Sequence, residues 1–101
     1  MENSNLVRIA QFCIHHEIES SFIFALQDFG LVTVLQQEDE EYLAVEEIKD
    51  VERMLRLHYD LGINMEGIDA IVSLLKKVNT LQRELRIANG RVEAFLPGDQ
   101  S

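Results

Sequence analysis

Residues 6–30 read LVRIAQFCIHHEIESSFIFALQDFG, and the fold is decided there. Leu6, Ile9, Ala10 and Cys13 recur at helical spacing, which predicts a short amphipathic helix over residues 6–14. His15, His16 and Glu17 interrupt the apolar pattern before Ile18. Ser20 and Ser21 are expected to cap a second helix over residues 22–29, because a serine oxygen can accept from the free N–H groups of the first turn. Gly30 is placed to end that helix in the left-handed conformation. Two short helices separated by about four residues predict a helix-turn-helix. Ile23, Leu26 and Phe29 are expected to face its core, with Phe22 and Phe24 at least partly outside that face.

Reading outward from this unit, the β-branched run Val32–Leu35 predicts a strand. The polar, charged residues 36–41 predict a turn, and Tyr42-Leu43-Ala44 the returning strand of a small hairpin wing. A third helix is expected to begin at Glu46 and Glu47, which suit a positive helix N-terminus. Ile48, Val51, Met54, Leu55, His58 and Leu61 form its apolar face, and Gly62 ends it. Asn64 can cap the next helix, with Glu66 in its first turn. No proline interrupts residues 65–95, and Leu96-Pro97-Gly98 stops the helix.

That last helix carries its own signal. Ile71, Leu74, Val78, Leu81, Leu85, Ala88, Val92 and Phe95 are spaced 3, 4, 3, 4, 3, 4, 3, the a/d pattern of a coiled coil. From residue 71 to 95 such a helix runs roughly 37 Å, too long for a small body to cover. A homodimer joined through these eight residues is the expected solution; a helix folded back on its own domain is the alternative. The g and e positions (Lys77, Glu84, Arg91; Leu75, Gln82, Asn89) give no clear parallel pairing, which favours antiparallel helices. The expected organisation is a body over residues 1–63 and a helical dimerisation segment over residues 64–101.

The chain has 101 residues and an apolar fraction of 47 %, enough for one small core. No apolar run approaches the ~20 residues that span a bilayer, and no secretory signal is expected. The single cysteine, Cys13, excludes an intramolecular disulfide and fits a reducing compartment, so the expected location is the cytoplasm. Net charge is −9, unevenly spread. Residues 1–70 hold four basic and fifteen acidic side chains, a balance of −11; residues 71–101 hold five basic and three acidic, a balance of +2. Affinity for nucleic acid comes largely from Lys and Arg displacing counterions, so such a body would be repelled by DNA and would attract a basic protein surface. Solubility alone is the other reading of this acidity.

The order of helix-turn-helix, wing, helix ending in Leu61-Gly62, and long dimerising helix resembles the MerR family of bacterial regulators. The residues that carry the resemblance are Ile9-Ala10, Ile18, Ile23, Leu26, Gly30-Leu31, Tyr42, Leu61-Gly62 and Met65-Glu66-Gly67-Ile68. MerR regulators usually place arginines on the second helix and in the wing for backbone phosphates. Here the second helix has no cation, and the wing turn carries Glu38-Asp39-Glu40-Glu41. This altered form is similar to the CbpM family of chaperone modulators in Phe12-Cys13-Ile14-His15, in Gly30-Leu31-Val32 and in its acidic body with a short heptad tail. That resemblance implies binding to the J domain of a DnaJ-type co-chaperone, limiting its action with Hsp70.

The expected fold is therefore mostly α: a MerR-like winged helix-turn-helix with a small β-hairpin wing and a long C-terminal dimerisation helix. Phe22 and Phe24 are expected as partner-binding anchors, ringed by Glu19, Asp28, Glu38, Asp39, Glu40 and Glu41, whose charges act mainly on association rate. A DNA-binding regulator using the basic C-terminal residues is the alternative, and a dimeric adaptor for another basic protein is a third reading. His15, His16, His58 and Cys13 lack CxxC or HxxxH spacing, so no metal and no cofactor is expected. Nor do the residues offer a nucleophile–base arrangement or a glycine-rich phosphate loop, so no catalytic residues are expected.

Overall fold

The computed structural model describes the backbone of residues 5–95 and the side chains of residues 5–90. In chain order the elements are β1 (Leu6–Arg8), α1 (Ile9–His16), α2 (Ser20–Asp28), β2 (Val34–Gln37), β3 (Glu40–Ala44), a 3₁₀ turn (Val45–Glu47), α3 (Ile48–Leu55), a π turn (Arg56–Asp60) and α4 (Met65–Phe95). This is the expected mostly helical architecture with a small antiparallel sheet and a long C-terminal helix. The chain divides into two units, Met1–Asp69 and Ala70–Ser101. No described helix is long and apolar enough to cross a membrane.

The sheet has three strands, not two. β3 lies in the middle, with Val7 opposite Leu43 on one side and Val34 opposite Leu43 on the other. Residues 6–8, expected as the first turn of a helix, form β1 instead. An extended Leu6-Val7-Arg8 satisfies the free edge of β3, where a single helical turn would satisfy little, and Val45 N–H closes the arrangement on Asn5 C=O at 2.8 Å. The hairpin is also tighter than expected. Gln37 pairs with Glu40, leaving only Glu38 and Asp39 in the loop, with φ of 51° and 67°. Two left-handed residues are what a two-residue hairpin turn of matching twist demands. Glu40 and Glu41 are therefore strand residues.

Both helices of the helix-turn-helix end the same way. After α2, Gly30 adopts φ 73°, its N–H donates to Gln27 C=O at 2.9 Å, and Leu31 N–H donates to Leu26 C=O at 2.9 Å. After α1, Ile18 N–H donates to Cys13 C=O at 3.0 Å, and the left-handed residue is Glu17, at φ 57°. A side chain in that conformation costs about 1 kcal/mol relative to glycine. The serines expected to cap α2 lie inside its first turn; the capping position is Glu19, which makes no side-chain bond to the helix. Asn64 does cap α4, its Oδ1 accepting from Gly67 N–H at 2.8 Å.

Ile9, Phe12, Cys13, Phe22, Ile23, Leu26, Leu43, Val51, Met54 and Ile68 are buried in the core of the first unit. Three expected core residues are outside it. Ala10 is exposed because α1 begins at Ile9, which turns Phe12 rather than residue 10 inward. Phe29, the residue that follows α2, is 37 % exposed. Leu61 is 67 % exposed because the π turn, with Leu61 N–H donating five residues back to Arg56 C=O at 3.2 Å, shifts the helical phase.

Gly67 is the glycine that packing requires. A Cβ there would stand 2.6 Å from Ile63 Cγ2 and 3.2 Å from Asn64 Oδ1. Ile63 is β-branched and stiff, so it cannot swing aside cheaply. Gly67→Ala is expected to destabilise the first unit by about 1 kcal/mol net, overpacking outweighing alanine's better helix propensity. Urea unfolding followed by circular dichroism measures this, and an unchanged or raised midpoint would refute the assigned clash.

Candidate functional site

One of the two expected anchors, Phe24, and three of the six expected acids, Asp39, Glu40 and Glu41, meet at one groove. It lies between α1, α2 and the hairpin, with a volume of about 330 Å³. α1 contributes Ile9, Ala10, Cys13 and Ile14; α2 contributes Ser20 and Phe24; the hairpin contributes Asp39, Glu40 and Glu41. Each element presents these groups for a local reason. Phe24 lies one residue beyond Ile23, fully buried, and two before Leu26, also fully buried, so helical rotation leaves its ring only half covered. Ile14 follows the buried Cys13 and is 71 % exposed. Strand alternation puts Glu41 on the face of β3 that carries the buried Leu43, turned toward the helices.

The groove thus joins an apolar wall to a carboxylate rim. Among the described residues one cation pairs with it: Arg8 Nε lies 3.9 Å from Glu40 Oε1, with both side chains about half exposed. An exposed pair at that distance contributes little and leaves the rim's sign unchanged. Glu19, Asp28 and Glu38 are exposed, but they do not line the groove.

Phe22 is a correction. Expected as an anchor, it is only 5 % exposed, stacks on His58 with ring centroids 4.9 Å apart and meets Tyr59 at 5.5 Å. His58 Nδ1 is bonded to Ile63 C=O at 2.9 Å, so the ring under Phe22 is itself held in place. The sequence signal that finds this was available: Phe22 and Leu26 are four apart and share a helical face. What the spacing missed is Ile14, which was assigned only to a short motif and lines the groove while largely exposed.

Cys13 is buried beneath the groove, and burial pushes its thiol pKa up by disfavouring the thiolate. Because the folded pKa is raised, the contribution to stability is present below the ordinary thiol pKa and is lost as pH rises through the folded value. Among the described residues, no group of three or more His, Cys, Asp or Glu is placed to hold a metal ion.

In α4, Leu74, Val78, Leu81 and Leu85 are 59 %, 44 %, 62 % and 60 % exposed, Ile71 is half-buried and Ala88 is exposed. The a/d stripe thus lies on the surface of the single chain over residues 74–88. The expected seam positions Val92 and Phe95 fall outside the described side chains.

Two substitutions separate core from surface. Phe22→Ala is expected to cost 3–5 kcal/mol in denaturant unfolding, whereas Phe24→Ala costs about 1 kcal/mol or less. Equal losses would contradict the assigned division of roles. The Cys13 thiol is expected to react with a disulfide reagent at neutral pH far more slowly than it does in denaturant; equal rates would show that it is accessible.

No curated protein and no solved structure gives a significant match to the chain. A family model, described as MerR HTH family regulatory protein, matches residues 7–89. That span takes in both helices of the helix-turn-helix, the three-stranded sheet and most of α4. The chain belongs to the MerR helix-turn-helix family of regulatory proteins.

Proposed function

We propose that this MerR-family regulator is a chaperone modulator of the CbpM type, which binds the J domain of a DnaJ-type co-chaperone and limits its action with Hsp70. The carrying observation is the groove in which Ile14 and Phe24 stand beside Asp39, Glu40 and Glu41. In a DNA-binding relative, the second helix and wing face phosphates. Here that region offers carboxylates and an aromatic ring. A basic amphipathic helix fits both features: its apolar residues enter between Ile14 and Phe24, and its cations meet the rim. The rim speeds encounter and selects the sign of the partner, while the desolvated aromatic contributes most of the residence time. Competition follows if the helix so covered is the one Hsp70 needs.

The protein acts as a homodimer in this reading. The exposed Leu74, Val78, Leu81 and Leu85 supply the seam, with Ile71, Ala88, Val92 and Phe95 completing the heptads. Two copies present two grooves, which would raise avidity toward a partner offering two sites without new contacts. The second reading is a DNA-binding transcriptional regulator, favoured by the family match itself. It requires cations from outside the hairpin, whose residues 32–44 include no Lys or Arg; Arg8 on the neighbouring β1 is already opposite Glu40.

Calorimetric titration with the J domain is expected to give one site per protomer, with affinity that falls as salt rises. Phe24→Ala is expected to weaken binding about tenfold, and Glu40→Lys with Glu41→Lys to slow association and flatten the salt dependence. Absence of J-domain binding at either salt, together with a retarded DNA fragment, would replace this function with the second reading. Leu81→Glu is expected to halve the mass in light scattering, and an unchanged mass would remove the dimer.

A further inference from the structure

A second groove opens where α1 ends, and the wing-groove function makes no use of it. It has a volume of about 490 Å³. Ile18 and Leu55 form its apolar part, and Glu17, Glu52 and Asp60 bring carboxylates to it. The π turn supplies Tyr59 to the same wall, with the ring half exposed. Such turns insert a residue into a helix and recur at functional sites.

Charge complementarity identifies the occupant. Glu52 already has a neighbour, His16 Nε2 at 3.5 Å. Among the described residues, no Lys, Arg or His nitrogen lies within 4.0 Å of the carboxylates of Glu17 or Asp60. Arg56, on the same wall, balances one of the three acids and leaves the groove negative. A half-exposed tyrosine, two carboxylates with no cation within 4.0 Å among the described residues, and the apolar Ile18 and Leu55 beside them together match one side chain better than any other. A guanidinium is planar and stacks on an aromatic ring, forks to carboxylates, and trails a methylene stem that prefers apolar surface. An ammonium is compact and strongly hydrated, and gains less from the ring.

We propose that this groove binds an arginine side chain presented by a partner protein, with the guanidinium on Tyr59, its donors on Glu17 and Asp60, and its stem over Ile18 and Leu55. The Glu17 carboxylate is kept there by a residue in a conformation that glycine would adopt more easily. The proposal stands whether or not the wing groove takes a J-domain helix, since the two grooves share no lining residue.

The chain has two tyrosines and no tryptophan, so Tyr42→Phe leaves Tyr59 as its sole tyrosine emitter. In that background the full chain is titrated with the peptide acetyl-Gly-Leu-Arg-Gly-amide and with its lysine and citrulline counterparts. The arginine peptide is expected to change Tyr59 emission saturably with a millimolar Kd, the lysine peptide to bind at least about threefold more weakly, and neutral citrulline to give no saturable change. Glu17→Gln with Asp60→Asn is expected to weaken arginine binding about tenfold while circular dichroism stays unchanged. No saturable change with arginine up to roughly 20 mM, an equal response to lysine or citrulline, or binding that survives the double variant would each overturn the proposal.

Discussion

The body depends on the register of β3. Leu43 is fully buried and is paired on both sides, with Val7 and with Val34. A slip of one residue would turn Leu43 to solvent and drive its neighbours inward, so the register is fixed from two directions at once. The consequence reaches the groove. Glu40 and Glu41 belong to the same strand as Leu43, and their position relative to Phe24 and Ile14 is therefore set by core packing. Acids on a free loop would sample many positions and dilute their field. Acids on the central strand hold one.

Neither half of the wing groove would define a partner by itself. Carboxylates at a solvated rim attract any basic surface, and salt screens them within about 10 Å at 0.1 M. An apolar wall of Ile14 and Phe24 would accept many apolar groups. In the proposed complex their conjunction favours a partner that carries cations beside an apolar edge. The same conjunction disfavours phosphate, which would meet Asp39, Glu40 and Glu41 and gain nothing from the ring. The family frame and the surface chemistry thus separate: helix-turn-helix, sheet and long helix are those of the family, while the groove between α1, α2 and the hairpin carries carboxylates where phosphate contact would require cations.

Most of the architecture was legible in the sequence because its signals are local. Gly30 and Gly62 end elements in the left-handed conformation, Asn64 caps α4, and Ile23 with Leu26 mark the inner face of α2. What escaped the reading is what depends on distant partners or on phase. β1 exists because β3 has an edge to satisfy, and nothing within Leu6-Val7-Arg8 announces a partner more than thirty residues away. The π turn shifts the helical phase after α3, so a regular 3.6-residue count carries Leu61 inward when it lies outside. The burial of Phe22 was legible in its spacing to Leu26, but its ring neighbours, His58 and Tyr59, come from that same irregular turn and were not. The groove was half visible: the acids and Phe24 stand out as a pattern, while Ile14 becomes functional only once α1 and the hairpin are seen to face each other.

The long helix follows a different constraint. Beyond Asp69 it forms its own unit, and its large apolar side chains at 74, 78, 81 and 85 are 44–62 % exposed. Helices in water gain most of their stability from packing an apolar face, not from propensity. This one also carries Gly90 in its interior, at a cost of about 1 kcal/mol relative to alanine. Most of its apolar residues fall on a 3–4 repeat, with Leu75 and Ile87 off it; a solvated single helix has no use for such a stripe, whereas a seam requires one. The cations that surround the stripe, Lys76, Lys77, Arg83 and Arg86, are all exposed, which keeps like charges off the apolar line. In the proposed dimer, folding of the distal helix and association are one equilibrium, because the face that stabilises the helix is the face that meets its copy. The number of grooves offered to a partner then follows protomer concentration.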